Sequence, residues 1–256
     1  MSTALRCLTI IAAIVLLGLI LTPTLHAAPA QATAGEIALL NAANRDRASA
    51  GLAPLQWDAA LATAARQHAI RMAQMNTISH QFPGELPMQD RARQAGARFS
   101  LIAENVAEGP SVTGLHTQWM NSPPHRANLL DGELNSVGIA VVQSGNLFFA
   151  VEDFSAAVPT LSLDIQEQQV ASQLAARGLR AVTLTADARR TCELDRGWAG
   201  QRPSTVLRYE TADLNHLPDE IEPKVASGKF SSAAVGACDA GGSASFARFR
   251  VAILLY

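Results

Sequence analysis

The chain has 256 residues, of which 48% are hydrophobic and 16% charged, and its formal net charge is −2. That apolar content is enough for one large core or two smaller ones. The near-neutral balance, with no basic block longer than Arg189-Arg190, leaves no electrostatic footprint for a nucleic-acid partner.

The amino terminus has the order of an export signal: Arg6, an apolar run over 8–21, then Thr22-Pro23 and the small residues Ala27-Ala28-Pro29-Ala30. The run is shorter than the roughly 20 residues that span a bilayer. Residues 1–30 are therefore expected to be cleaved, leaving a secreted or periplasmic protein with no stable membrane span. Cys7 leaves with the signal. Cys192 and Cys238, 46 residues apart, are then expected to form a disulfide. Closing a loop of that length contributes about 4 kcal/mol in the chain-entropy model.

Residues 31–34 read as a frayed start. A helix is expected over 35–48, with Ile37, Leu40 and Ala43 at helical spacing, stopped by Gly51. Residues 52–57 form an apolar extended connector stiffened by Pro54. Asp58 caps a second helix reaching about Asn76, whose apolar stripe is Leu61, Ala65, His68, Met72 and Met75. His68 on that stripe reads as a satisfied, partly buried histidine. Residues 81–103 read as irregular, with a short helix over 89–95. A helix follows over 112–120, and Ser122-Pro123-Pro124 starts another that ends near 130–132. Strands over 137–142 and 147–154 form a hairpin through Ser144-Gly145-Asn146.

Residues 156–159 read as a linker. Beyond it come a helix over 165–177 closed by Gly178, strands over 180–185 and 205–211, and a loose helix over 214–227. A second hairpin is expected from 230–236 and 246–255 around Gly241-Gly242, its last residues too apolar to be anything but a buried strand. The openings Val137-Gly138 and Val235-Gly236 share a faint pattern of the length that chance produces. The class is α+β.

Three residues carry the chemistry. His80 and His125 are imidazoles, and Glu104 lies between them in sequence. Two neutral imidazoles and a carboxylate suffice for an open divalent-metal site or an acid–base pair. His125 falls in the first turn of its helix, where the macrodipole lowers an imidazole pKa. No His-Glu-x-x-His, Gly-x-Ser-x-Gly or phosphate loop occurs, which disfavours a standard zinc protease or α/β-hydrolase.

Six sequence words in order carry a family resemblance. They are Asn44-x-x-Arg47-x-x-x-Gly51-Leu-Ala-Pro-Leu55-x-Trp57-Asp58, Ala65-x-x-His68 with Ser79-His80, Glu104-Asn105-Val106, Trp119-x-x-Ser122-Pro-Pro-His125-Arg126-x-Asn128, Val137-Gly138-Ile139 and Phe149-x-Val151-x-Asp153-Phe154. Together they resemble the CAP superfamily, which comprises cysteine-rich secretory proteins, antigen 5 and pathogenesis-related proteins, and most of all its cysteine-poor bacterial branch. The resemblance implies an α-β-α sandwich over 31–156, followed by a smaller α+β domain over 157–256 that resembles nothing familiar.

It also implies a shallow cleft lined by two histidines and two glutamates able to hold a divalent metal such as zinc. His80, His125 and Glu104 match three of the four; the second glutamate falls at Ser122. The expected ligands are His80 and His125 with Glu104, and Glu104 is the candidate catalytic group. Glu85 or Glu108 is placed to stand in for the missing carboxylate.

The expected function is binding in a cleft formed by His80, Glu104, His125 and Ser122, the ligand being a lipid, peptide or cell-wall fragment. The alternatives are a metal-assisted hydrolase using the same triad, and a scaffold in which the triad only pins loops. Asn105, Asn44 and Arg47 read as tethers to backbone, Trp57 and Trp119 as core aromatics, and Ser122 as an N-cap.

Overall fold

A computed structural model of the chain describes residues 32–240 and 246–256. The export signal expected at 1–30 and the pair Gly241-Gly242 lie outside them. Helix α1 (Ala34–Ser49) begins with a complete capping box in which Thr33 and Glu36 exchange side-chain and backbone bonds, so the start is not frayed. Its buried stripe is Glu36, Leu39, Ala43 and Arg47, whereas Ile37 faces solvent at 46% exposure. The connector ends in a two-residue strand, β1 (Gln56–Trp57). Helix α2 (Ala59–Met75) starts where Asp58 accepts the Ala60 and Leu61 amides, and it ends at Asn76 in the left-handed conformation. Leu61, Ala65, His68 and Met72 are buried as expected, but Met75 is exposed.

After the short α3 (Met88–Gln94) comes β2 (Phe99–Gly109), where only irregular chain was expected up to residue 103. The alternation that marks a strand is hidden there. Glu104 and Asn105 are adjacent, polar and both buried, one on each face. Helices α4 (Val112–Asn121) and α5 (Pro123–Leu129) lead into the hairpin β3 (Ser136–Ser144) and β4 (Leu147–Ala157). The sheet order is β1-β3-β4-β2, with β1 parallel to β3 and the other pairs antiparallel. One face packs α2 through Ala65, Ala69 and Met72 against Val106, Ala140, Phe149 and Val151. The other packs α1, α4 and α5 through Leu39, Ala43, Leu115, Trp119 and Leu129 against Val137, Ile139 and Phe154. This is the α-β-α sandwich.

Arg47 holds one corner together. Buried at 1% exposure, it donates to the carbonyls of Ala53, Leu129, Asp131 and Leu134, tying α1 to the connector and to the turn after α5. Asn44 tethers Leu55 through both its backbone groups.

The second half contains α6 (Leu163–Ala176), β5 (Arg180–Ala181), α7 (Thr185–Glu193), β6 (Thr205–Thr211), α8 (Glu222–Val225), β7 (Ser232–Cys238) and β8 (Phe249–Leu255). The strand expected over 180–185 is two residues long, and its end turns into α7. The helix expected over 214–227 shrinks to α8. Leu214, Leu217, Ile221 and Val225 are all buried, but the Asp213 turn accepting the Asn215 amide and Pro218 deny them a continuous helix. Strand β8 is central, and Val251 to Leu255 are fully buried. Cys192 and Cys238 are disulfide-bonded, pinning α7 to β7. No helix among the described residues is long and apolar enough to cross a membrane.

The tightest packing point in the first half is Gly138, where a Cβ would fall 2.0 Å from the Ala62 nitrogen and 2.2 Å from the Leu61 carbonyl carbon. Those atoms are helix backbone and cannot swing aside. Gly138→Ala is expected to lose at least about 3 kcal/mol in urea unfolding; a loss below about 1 kcal/mol would show that α2 slides freely on the sheet.

Candidate functional site

The candidate site lies along β2, an edge strand, whose antiparallel pairing with β4 sets Glu104 opposite Asp153 and Asn105 opposite Glu152. Glu104 and Asp153 therefore share the α2 face, and Asn105 and Glu152 the face of α5. His80 comes from the loop after α2. Its Nδ1 donates to Glu104 Oε1 at 2.8 Å, so Nε2 is the ring nitrogen left for a ligand. The two partners differ sharply in exposure: the His80 side chain is 62% exposed and that of Glu104 3%. The other oxygen of Glu104 accepts from Arg91 of α3. Arg91, itself buried, also donates to the carbonyls of His80 at 3.1 Å and Leu86 at 3.2 Å, so one guanidinium fixes both the loop and the carboxylate.

His68 is satisfied. Nδ1 meets Glu85 at 2.8 Å and Nε2 the Ser79 carbonyl at 2.6 Å, leaving neither nitrogen for a ligand. Glu85 is thus brought near the site but spent on His68 and the Phe82 amide. It does not stand in for the missing glutamate. Glu108 lies further along β2, opposite Phe149, and its carbonyl accepts from Gln118.

On the other side, Asn105 donates to the His125 carbonyl at 3.1 Å and accepts from Asn128 at 2.9 Å, pinning α5 to the strand. Asn105 is a tether, as expected. Trp119 is a buried core aromatic whose ring nitrogen donates to Val106. Ser122 occupies the N-cap position of α5, but its hydroxyl makes no capping bond, so the expected N-cap role is not exercised.

Electrostatics separate the two histidines. The hydrogen bond to Glu104 raises the His80 pKa against the cost of burial. Burial first, and then the charge of His80, lower that of His125. The lowering has the direction expected from the helix terminus, with a different leading cause. The two rings are thus shifted in opposite directions, His80 toward the imidazolium and His125 toward the neutral form.

Two buried acids, Asp153 and Glu152, were not expected as site residues, although Asp153 belongs to the last of the six sequence words. Asp153 has neither oxygen hydrogen-bonded, and burial followed by the charge of Glu104 pushes its pKa well up. Glu152 has one oxygen without a partner and is pushed up to about 8 by burial. The legible signal was the pair of adjacent acids in an otherwise apolar strand.

The donor set does not fit a resident metal held by three protein ligands. Glu104 has both oxygens engaged, one of them by a cation, and acts as an orienting partner of His80. Only two imidazoles remain, and Glu104 shifts one of them, His80, toward its protonated form. Among the described residues no group of three or more His, Cys, Asp or Glu is disposed to hold a metal ion. To serve as the expected ligand, Glu104 would have to give up its bond to His80 or to Arg91.

In an NMR titration His80 is expected to protonate above pH 6.5 and His125 below it; Glu104→Gln should bring the His80 midpoint down. Unchanged midpoints in that variant would show that the carboxylate does not set the His80 state. Glu152 gives a stability prediction. Between about pH 4.5 and 8 the folded chain keeps a proton there that the unfolded chain has released, so stability falls as pH rises through that range. Glu152→Gln should flatten part of this fall and be more stable than wild type near pH 8. A steeper or unchanged slope would mean that the group is ionised in the fold.

The sequence model of the cysteine-rich secretory protein family matches residues 40–154. The uncharacterized protein YkwD of Bacillus subtilis is 31% identical over 128 residues, half of this chain and half of that protein. An uncharacterized protein of Borreliella burgdorferi is 31% identical over 84 residues, 33% of this chain and 54% of the relative. The chain thus spans about half the length of each of these two relatives. Among solved structures, an extracellular protein containing a SCP domain from Bacillus anthracis is 30% identical with a TM-score of 0.43, covering 46% of this chain and 39% of that one. An outer surface protein of Borrelia burgdorferi is 22% identical with a TM-score of 0.45, covering 48% and 92%. Residues 40–154 of this chain are thus similar to the CAP domain of cysteine-rich secretory proteins.

Proposed function

We propose that the chain is an exported binding protein whose CAP cleft takes a small ligand through His80 and His125, without a resident metal. One observation carries the reading: an exposed imidazole braced from below by a buried carboxylate, which is itself locked by a buried arginine. Holding His80 in one orientation costs a solvent-exposed ring its rotamer freedom, and that cost is useful where the ring meets a ligand. With Nδ1 committed to Glu104, Nε2 is held in a fixed direction, and in the protonated ring, which Glu104 favours, it is a positively charged donor. It suits an acceptor-bearing group such as the phosphate of a lipid, the carboxylate of a peptide or an acidic group of a cell-wall fragment. Export is supported by the apolar leader composition of 8–21 and by the disulfide, which persists in oxidising compartments.

A metal-assisted hydrolase using His80, His125 and Glu104 is the weaker reading. Glu104 cannot serve as ligand or base while Arg91 and His80 hold it. The scaffold reading accounts for Asn105, Asn128 and Arg91 but not for an oriented, open imidazole.

The test uses the mature protein and a His80→Ala/His125→Ala variant against phospholipid vesicles, peptidoglycan fragments and a peptide mixture, with capture read by native mass spectrometry. Capture of one class by wild type, lost at least tenfold in the variant, is expected. Equal capture by both, or none by either, supports the scaffold. Equimolar zinc is expected to leave the melting temperature unchanged; a rise that vanishes in the double variant would restore the metal reading.

A further inference from the structure

We infer that the second half of the chain is a second copy of the CAP plan, which keeps the element order and the ionic latch of the first copy but has an apolar core where the first has its site. Both halves run helix, two-residue strand, helix, long strand, helix, hairpin, the first with two extra short helices. Their sheets have the same order, β1-β3-β4-β2 and β5-β7-β8-β6, with the same single parallel pair.

The correspondence holds residue by residue. Trp57 pairs with Val137, and the next amide, Asp58, donates to the Val137 carbonyl at 2.9 Å. Ala181 pairs with Ala233, and the next amide, Val182, donates to the Ala233 carbonyl at 3.0 Å. Setting Val137 on Ala233 aligns the remaining strands. Phe154 falls on Leu255, the partners across each hairpin, and the closing bonds from Asn135 to Ser155 and from Ser231 to Tyr256 coincide, each at 3.0 Å.

An independent feature obeys the same register. Each first strand pairs for only two residues, so the outer edge of its neighbour continues with unpaired amides. In the first copy Glu36 of α1 accepts the Val141 amide at 3.0 Å and pairs with Arg66 of α2. In the second, Glu167 of α6 accepts the Ala237 amide at 2.9 Å and pairs with Arg189 of α7 at 2.6 Å. Val141 lies four positions beyond Val137, and Ala237 four beyond Ala233. The same alignment thus superposes a buried glutamate, an edge amide and an arginine that the strand pairing did not use.

The site does not survive the alignment. Opposite Asp153 stands Glu104, and the matching pair is Val206 opposite Leu254; Asn105 opposite Glu152 becomes Leu207 opposite Ile253. The segment between helix and long strand, which in the first copy carries His80, Glu85 and Arg91, shortens to 194–204. Four buried polar groups have become four apolar ones, so the polar cluster at these strand positions is confined to the first copy. The faint Val-Gly pattern of the two hairpins is not the signal: Gly138 aligns with Ala234, two residues out of step with Gly236.

The test is amide hydrogen exchange on the full chain. Glu36→Ala should speed exchange of Val141 and its β3 neighbours at least tenfold while leaving β7 unchanged. Glu167→Ala should do the same for Ala237 in β7 and leave β3 unchanged. If either alanine variant fails to fold, the corresponding Glu→Gln change should give the same local pattern at smaller size. An Ala237 amide exchanging at the wild-type rate in the Glu167 variants overturns the equivalence.

Discussion

A carboxylate taken out of water must be given a cation, a set of donors or a proton, and this fold is organised around how it meets that demand. Among the described residues five acidic side chains are buried: Glu36, Glu104, Glu152, Asp153 and Glu167. Three have arginine. Glu36 and Glu167 use theirs to seal a sheet edge, joining the first helix, the second helix and the third strand of each half. Glu104 uses Arg91 to lock a loop. Glu152 and Asp153 are held toward the protonated form by burial, which for Asp153 outweighs the nearby charge of Arg91.

This division explains why the cleft has one rigid wall. The guanidinium of Arg91 reaches the Glu104 carboxylate and the His80 carbonyl together, so the position of His80 is set twice, through its ring and through its backbone. On the opposite face amides do the holding: Asn105 and Asn128 pin α5, and with it the His125 backbone, to β2. Ser122, at the position where a second glutamate was expected, adds no charge.

The second half shows the same edge-sealing solution without the cleft. Its α7 is shorter than α2, and the disulfide between Cys192 and Cys238 fastens that short helix to the sheet. With Val206, Leu207, Ile253 and Leu254 in the central positions, no buried proton has to be accommodated, and the strands need only pack.

Much of this was legible in the sequence. Asp58 as a cap, the stop at Gly51, the hairpin through Gly145 and the buried final strand follow from local rules, because turn chemistry and apolar runs act over a few residues. The ordered words around His80, Glu104 and His125 carried the family and the cleft. What stayed hidden has a common physical cause. Strand β2 was missed because two adjacent polar residues are both buried, which erases the period of two. Arg91, Glu152 and Asp153 were missed because a buried charge is recognisable only through its partner, and here the partner lies on another element. The repeat stayed hidden because hydrogen-bond register, and not residue identity, is what the two halves share. The sequence by itself determined where helices begin, where strands turn and which residues could meet at a cleft. Tertiary structure alone decided which carboxylate receives an arginine and which must keep a proton, since that choice depends on distances across the sheet and on the exclusion of water.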